Sequence, residues 1–233
     1  MLRASRTTVH RIIQCLAVAV GLITVAGVLA VVLDQAQITD PIAAEARESF
    51  VRLFRLNREA NVPTWFSSSL LLLSALLLGT IAMQQRSVDA RFWRHWAFLA
   101  LAFVFLSMDE TAQIHEMLAR PTRYLTGVGG FLYFAWIVPV GASLIVFVAA
   151  YARFLGGLPG TTRRLFLLSG SLYVAGALGM ESIGSLIFTR VGGDCTAYEL
   201  ATLVEEFLEM AGIVIFLKAL MEFPPLYGTA EPT

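Results

Sequence analysis

The sequence predicts an all-α fold, a polytopic bundle of six transmembrane helices with an amphipathic interfacial helix between the first two spans. Three observations predict it. Hydrophobic residues make up 57% of the 233-residue chain and charged residues only 15%, where an average globular chain carries about 25%. The apolar residues fall in long runs without strand-like alternation, which leaves helices to satisfy the backbone in lipid. The 17 Lys and Arg balance 17 Asp and Glu, so no basic surface points to nucleic acid. Two cysteines exclude a secreted disulfide scaffold. The whole chain, residues 1–233, reads as a single membrane domain whose first partner is the lipid bilayer.

Roughly 20 apolar residues cross a bilayer. Six segments meet or approach that length: Ile12–Leu33, Trp65–Met83, Phe92–Ala112, Phe131–Leu155, Leu165–Phe188 and Ala197–Met221. The first follows Arg3, Arg6 and Arg11, as a signal peptide would. Its 22 apolar residues are long for a cleaved h-region of about 7–15, so it counts as a span, with cleavage the minor alternative. Basic residues set the orientation. With the N-terminus inside, ten cations face inward: Arg3, Arg6, Arg11, Arg86, Arg91, Arg94, Arg153, Arg163, Arg164 and Lys218. Seven face outward: Arg47, Arg52, Arg55, Arg58, Arg120, Arg123 and Arg190. Both termini are therefore expected on the cytoplasmic side of the membrane.

In the first outer segment, Asp40-Pro41 reads as an N-cap followed by proline at the first helical position. Ile42, Ala46, Phe50, Leu53 and Phe54 give the helix an apolar side that suits the membrane surface or a partner. Glu48–Arg52 and Arg55–Glu59 are i,i+4 pairs. Asn61-Val62-Pro63 ends the pattern. Residues 126–130 form a glycine-rich joint, and Pro139 predicts a kink in the fourth span. The fifth span is dense in small residues, from Ser169 and Gly170 to Gly184 and Ser185, and is expected at the centre of the bundle.

Ionisable residues inside membrane helices are costly and usually face a bundle interior. Here they gather at one depth. The third span ends in Asp109, Glu110, His115 and Glu116, the fifth carries Glu181, and the sixth carries Glu199, Glu205, Glu206 and Glu209. All fall in the outer half under the expected topology. Continued helix would put Asp109, Gln113 and Glu116 on one face. Glu209 lies roughly 15 Å into the sixth helix, at about 1.5 Å per residue.

Each group also has a plainer reading. Asp109 to Glu116 fit a solvated helix exit, Glu181 a structural acid, and Glu199 an N-terminal acid favoured by the helix dipole. Asp109, Glu110, His115, Glu116, Glu181, Glu205 and Glu209 are the candidate ligands of a divalent metal cation, which oxygen donors with one imidazole would suit. The same groups suit proton transfer. A di-iron site lacks its paired Glu-x-x-His motifs, a three-histidine zinc site is disfavoured because only His115 lies near the cluster, and no phosphate loop is present. Ser107 is eight residues from His115 and out of phase with it. Cys15 and Cys195 fall at opposite faces of the membrane, so no disulfide joins them.

The stretches Glu59-Ala60-Asn61-Val62-Pro63-Thr64-Trp65-Phe66-Ser67-Ser68, Ser107-Met108-Asp109-Glu110 through His115-Glu116, and Glu205-Glu206-Phe207-Leu208-Glu209-Met210-Ala211-Gly212 resemble a group of uncharacterised bacterial multi-pass membrane proteins. The resemblance spans residues 50–220. It implies an integral membrane location and no known reaction. The residues themselves favour a membrane enzyme or transporter built on the carboxylate–histidine site. The alternative is an accessory subunit of a larger complex, using membrane protein partners or a second copy.

Overall fold

Helix is the only regular structure among the described residues, 5–58 and 60–224, of the computed structural model. Nine α-helices follow in order: α1 (Arg6–Asp34), α2 (Pro41–Phe54), α3 (Val62–Ser87), α4 (Trp93–Ala112), α5 (Ala119–Thr126), α6 (Ile137–Gly156), α7 (Gly160–Val174), α8 (Glu181–Val191) and α9 (Thr196–Met221). A 3₁₀ turn, His115–Leu118, precedes α5, and a π-helical segment, Ala175–Met180, joins α7 to α8. Arg3 and Glu59, used in the charge and pairing arguments, lie outside the described residues.

Local chemistry sets the helix starts. Asp40 Oδ1 accepts from the Ala43 N–H at 2.8 Å, and Asn61 Oδ1 accepts from the Thr64 N–H at 2.9 Å. Pro41 and Pro63 sit in the first turns, where a missing N–H costs nothing. Asn61 is therefore an N-cap as well as a breaker. Its amide also donates to the carbonyls of Arg55 and Arg58, holding the end of the α2–α3 loop. Pro139 serves likewise as an initiator. It lies in the first turn of α6, after the irregular residues 133–136, so the expected mid-span kink does not occur.

Four helical stretches are long and apolar enough to cross a membrane: α1, α3, α6, and the 32 residues Gly160–Val191 that run through α7, the π segment and α8. A fifth is formed if α4 and the helix after it, bent from it by 79°, count as one span. The C-terminal helix α9 is 26 residues long, but its carboxylates take it out of that set. It packs against α1, α3, α7 and α8, so α9, rather than the small-residue fifth span, holds the centre.

The small residues of the fifth span line its approach to α9. A Cβ on Gly212 would stand 2.9 Å from the Ser169 carbonyl oxygen and 3.0 Å from the Tyr173 nitrogen. Apolar packing closes the other end of the bundle. There Trp96, Phe154, Phe166, Phe216 and Phe223 form one cluster, while Val20, Ile23, Leu71, Met210 and Leu217 join α1, α3 and α9. Helices α3 and α4 are tied by reciprocal bonds. Ser68 Oγ donates to the Ser107 carbonyl at 2.7 Å and Ser107 Oγ to the Ser68 carbonyl at 2.8 Å. Ser107 is thus interhelical glue.

Gly212→Ala should cost about 1–3 kcal/mol, because backbone atoms block the added methyl. Gly141→Ala, in α6 with nothing within 4 Å of its Cβ, should leave the thermal midpoint in detergent unchanged or raised. Comparing the two midpoints with that of the parent checks the α7–α9 contact.

Candidate functional site

One end of the bundle collects the ends of α1, α4 and α8 with the starts of α3, α6 and α9, and it holds two polar assemblies. The first is built on Glu199 in the opening turn of α9, only 6% exposed. Arg55, just past α2, donates to Glu199 Oε1 from Nε at 3.2 Å and from Nη2 at 2.5 Å. The same guanidinium reaches Asp34 Oδ2 at 2.7 Å, and Asn57 Nδ2 reaches Glu199 Oε1 at 3.1 Å. The hydrogen bond to Glu199 holds Arg55 above its usual pKa, with the charges of Asp34 and Asp194 adding to it against desolvation.

Glu199 is therefore more than a dipole-favoured terminal acid. It joins three elements through an ion pair spanning 144 residues of sequence. Arg55 serves this pair, and no ion pair joins Glu48 to Arg52 among the described residues. A cavity of about 140 Å³ beside the pair is lined by Asp34, Arg55, Asp194 and Cys195, among others.

The second assembly starts at the end of α4. The helix stops at Ala112 because Gln113 takes a left-handed conformation, φ 51°. The expected face through Asp109, Gln113 and Glu116 is thereby broken, since the residues after 112 turn away by 79°. The turn brings His115 back over Asp109. Its backbone N–H donates to Asp109 Oδ1 and its Nδ1 lies on Oδ2, both at 2.8 Å. Glu116 is exposed and lines a depression of about 350 Å³ with Ala112, Gln113, Met117 and Arg120, its charge still within reach of His115 and Glu181.

Behind His115 lies Trp136, with ring centroids 4.5 Å apart, and the indole Nε1 donates to Glu181 Oε1 at 3.2 Å. The carboxyl group of Glu181, the first residue after the π segment, lies beside that of Glu205 in α9. Ionised carboxylates only accept hydrogen bonds, so a hydrogen bond between these two would require a proton on one of them. Glu209 lies one turn further along α9, its Cγ against Gly176 of the π segment. The absence of a side chain at Gly176 lets the backbones meet here; a Cβ there would fall 2.8 Å from the Glu205 carbonyl oxygen. Glu110 and Glu206 are half-buried close by, within the electrostatic reach of Glu209.

The structure thus joins Asp109 to His115 and brings Glu181 beside Glu205, with Trp136 between the pairs. Among the described residues, no group of three His, Cys, Asp or Glu side chains could hold a metal ion. The expected divalent-cation site is therefore not supported; Asp109 is committed to His115 and Glu116 is exposed. Cys15 and Cys195 are free.

Sequence reasoning missed Arg55, Asn57, Trp136 and Ser185. Ser185 is fully buried, donates to the Gly130 carbonyl at 2.8 Å and accepts from the Phe134 N–H at 3.1 Å. It thereby anchors the loop that presents Trp136. A buried serine and an interfacial tryptophan carry no local signal of such roles.

The fold is a helical bundle with candidate membrane-crossing helices and a cluster of carboxyl groups in its interior. The chain belongs to the family described as Domain of unknown function (DUF8692), whose model matches residues 15–223. Comparisons with curated proteins and with solved structures give no match.

Glu199→Ala should destabilise the protein by about 3 kcal/mol, because Arg55 loses its main acceptor in a buried setting. Arg55→Ala with Glu199→Ala should cost less than the sum of the single changes. A double-mutant cycle on thermal or denaturant unfolding in detergent measures that coupling.

Proposed function

We propose that this chain is a six-span bacterial inner-membrane protein that takes up and releases protons through its buried carboxyl pair, exchanging them with the outer surface through His115 and Asp109. Both termini are cytoplasmic in this reading, α2 lies on the outer membrane surface, and α9 is the sixth span. The observation that carries it is the carboxyl contact between Glu181 and Glu205, covered by Trp136 directly beneath the His115–Asp109 pair.

Physical chemistry supports the reading in two ways. A carboxylate inside a membrane bundle must be protonated, paired or hydrated, because the uncompensated charge costs several kcal/mol. Among the described residues, Glu181 is approached by an indole N–H and by another carboxyl group, which favours a shared proton. Imidazole is the side chain best suited to pass protons near neutral pH, and His115 stands 28% exposed at the mouth. Asp109 fixes the ring by holding Nδ1, leaving Nε2 as the exchanging nitrogen.

Two measurements test the proposal. In a cysteine-free background, Ser49→Cys should be labelled from outside intact cells and Ser87→Cys should be protected. The reverse pattern would invert the topology. Potentiometric titration of the reconstituted protein should show one fewer bound proton per chain near neutral pH in Glu181→Gln and in Glu205→Gln. The double variant should lose no more than either single one. Additive loss would mean two independent acids, and stoichiometric metal lost with either variant would restore cation binding in place of proton exchange.

A further inference from the structure

The opposite end of the bundle carries a different chemistry. Arg86 ends α3, and Arg91 and Arg94 flank the start of α4. The turn between them is tight. Asp89 adopts φ 49°, its N–H donates to the Arg86 carbonyl at 3.1 Å, and the Ala90 N–H donates to the Gln85 carbonyl at 2.9 Å. Two guanidinium groups lie over one indole: Arg86 is 5.2 Å and Arg94 5.4 Å from the Trp93 ring centroid. Arg91 lies 5.1 Å from the Phe92 centroid.

This aromatic platform is fixed from within, because Phe92 packs edge-on against His95 and Phe154. All three arginines are exposed, and none has a carboxylate within ion-pair distance among the described residues, exposed Asp89 included. Arg153, Arg163 and Arg164 add charge at the same end, where Glu222, the other acid among the described residues there, pairs with Lys218 at 3.8 Å.

We propose that the α3–α4 turn binds the headgroup of an anionic phospholipid, with Arg86, Arg91 and Arg94 holding the phosphate on the Trp93–Phe92 platform. This rests on the membrane reading above but not on which side the turn faces. Cation–π contacts hold the guanidinium groups near one another while their in-plane N–H donors stay open. Arginine forks match phosphate oxygens. Tryptophan belongs at the headgroup level, and cations beside a span end are drawn to anionic lipid. The charge complementarity names the occupant.

The test is native mass spectrometry of the full chain released from nanodiscs of phosphatidylglycerol or of phosphatidylcholine. The parent should retain phosphatidylglycerol selectively. Arg86→Gln with Arg94→Gln should weaken that retention by about tenfold. Arg163→Gln with Arg164→Gln, which removes the same charge from the same end, should weaken it much less, and Arg52→Gln at the other end not at all. Equal loss in the two double variants would overturn the site in favour of a diffuse surface potential. Insertion into both bilayers without selectivity would overturn the proposal alone. Failure of the parent to insert into either bilayer would overturn the membrane reading and the proposal together.

Discussion

The rest of the structure depends on one constraint: the helix that the others surround is also the helix with the most carboxyl groups. Placing Glu199, Glu205, Glu206 and Glu209 on α9 forces every neighbouring element to answer them. At the entrance, Arg55 and Asn57 leave the α2–α3 loop to reach Glu199, which pins α2 and that loop across the ends of α1 and α9. Deeper in, no ion pair reaches Glu205 or Glu209 among the described residues. The neighbour of Glu205 is another acid, Glu181, and in the proposed reading a shared proton takes the place of a countercharge.

The backbone around this pair departs from regular helix where the pair needs it. The π segment Ala175–Met180 sits between α7 and α8, and Glu181 is the residue immediately after it. One extra residue in a helix rotates everything beyond it by about 100°, so the π turn sets the direction of Glu181. Gly176 within the turn lets the segment lie against the Glu205 carbonyl. On the other side, the left-handed Gln113 ends α4 early and folds His115 back onto Asp109. Two local irregularities, one in each flanking span, thus create the polar core that regular helices would have scattered.

Much of the fold was legible because composition and apolar run length are strong signals. The helices around residues 12–33, 65–83 and 92–112 follow from them, as does α2 with its Asp40 cap. The gathering of acids at one end also followed, since helix direction alternates. The breaks were not legible. A helical wheel drawn through Asp109 and Glu116 assumes continuity, and Gln113 carries no glycine or proline to warn otherwise. Pro139 misled because proline kinks a helix interior but starts a helix at its first turn, and the difference rests on where Ser185 anchors the preceding loop. Small residues drew attention to the fifth span, yet they mark close approach to a central helix as readily as central position itself. Long-range partners such as Arg55 and Glu199 have no signature in a single sequence.

The central claim is that Glu181 and Glu205 hold one proton between them inside the bundle. Infrared difference spectroscopy on metal-free protein, across a pH step through neutrality, reads it most directly. A protonated-carboxyl band should be present and should vanish in both Glu181→Gln and Glu205→Gln, while Glu199→Gln leaves it in place. A spectrum with no protonated carboxyl band, or a band that survives one of the two substitutions unchanged, would contradict the account.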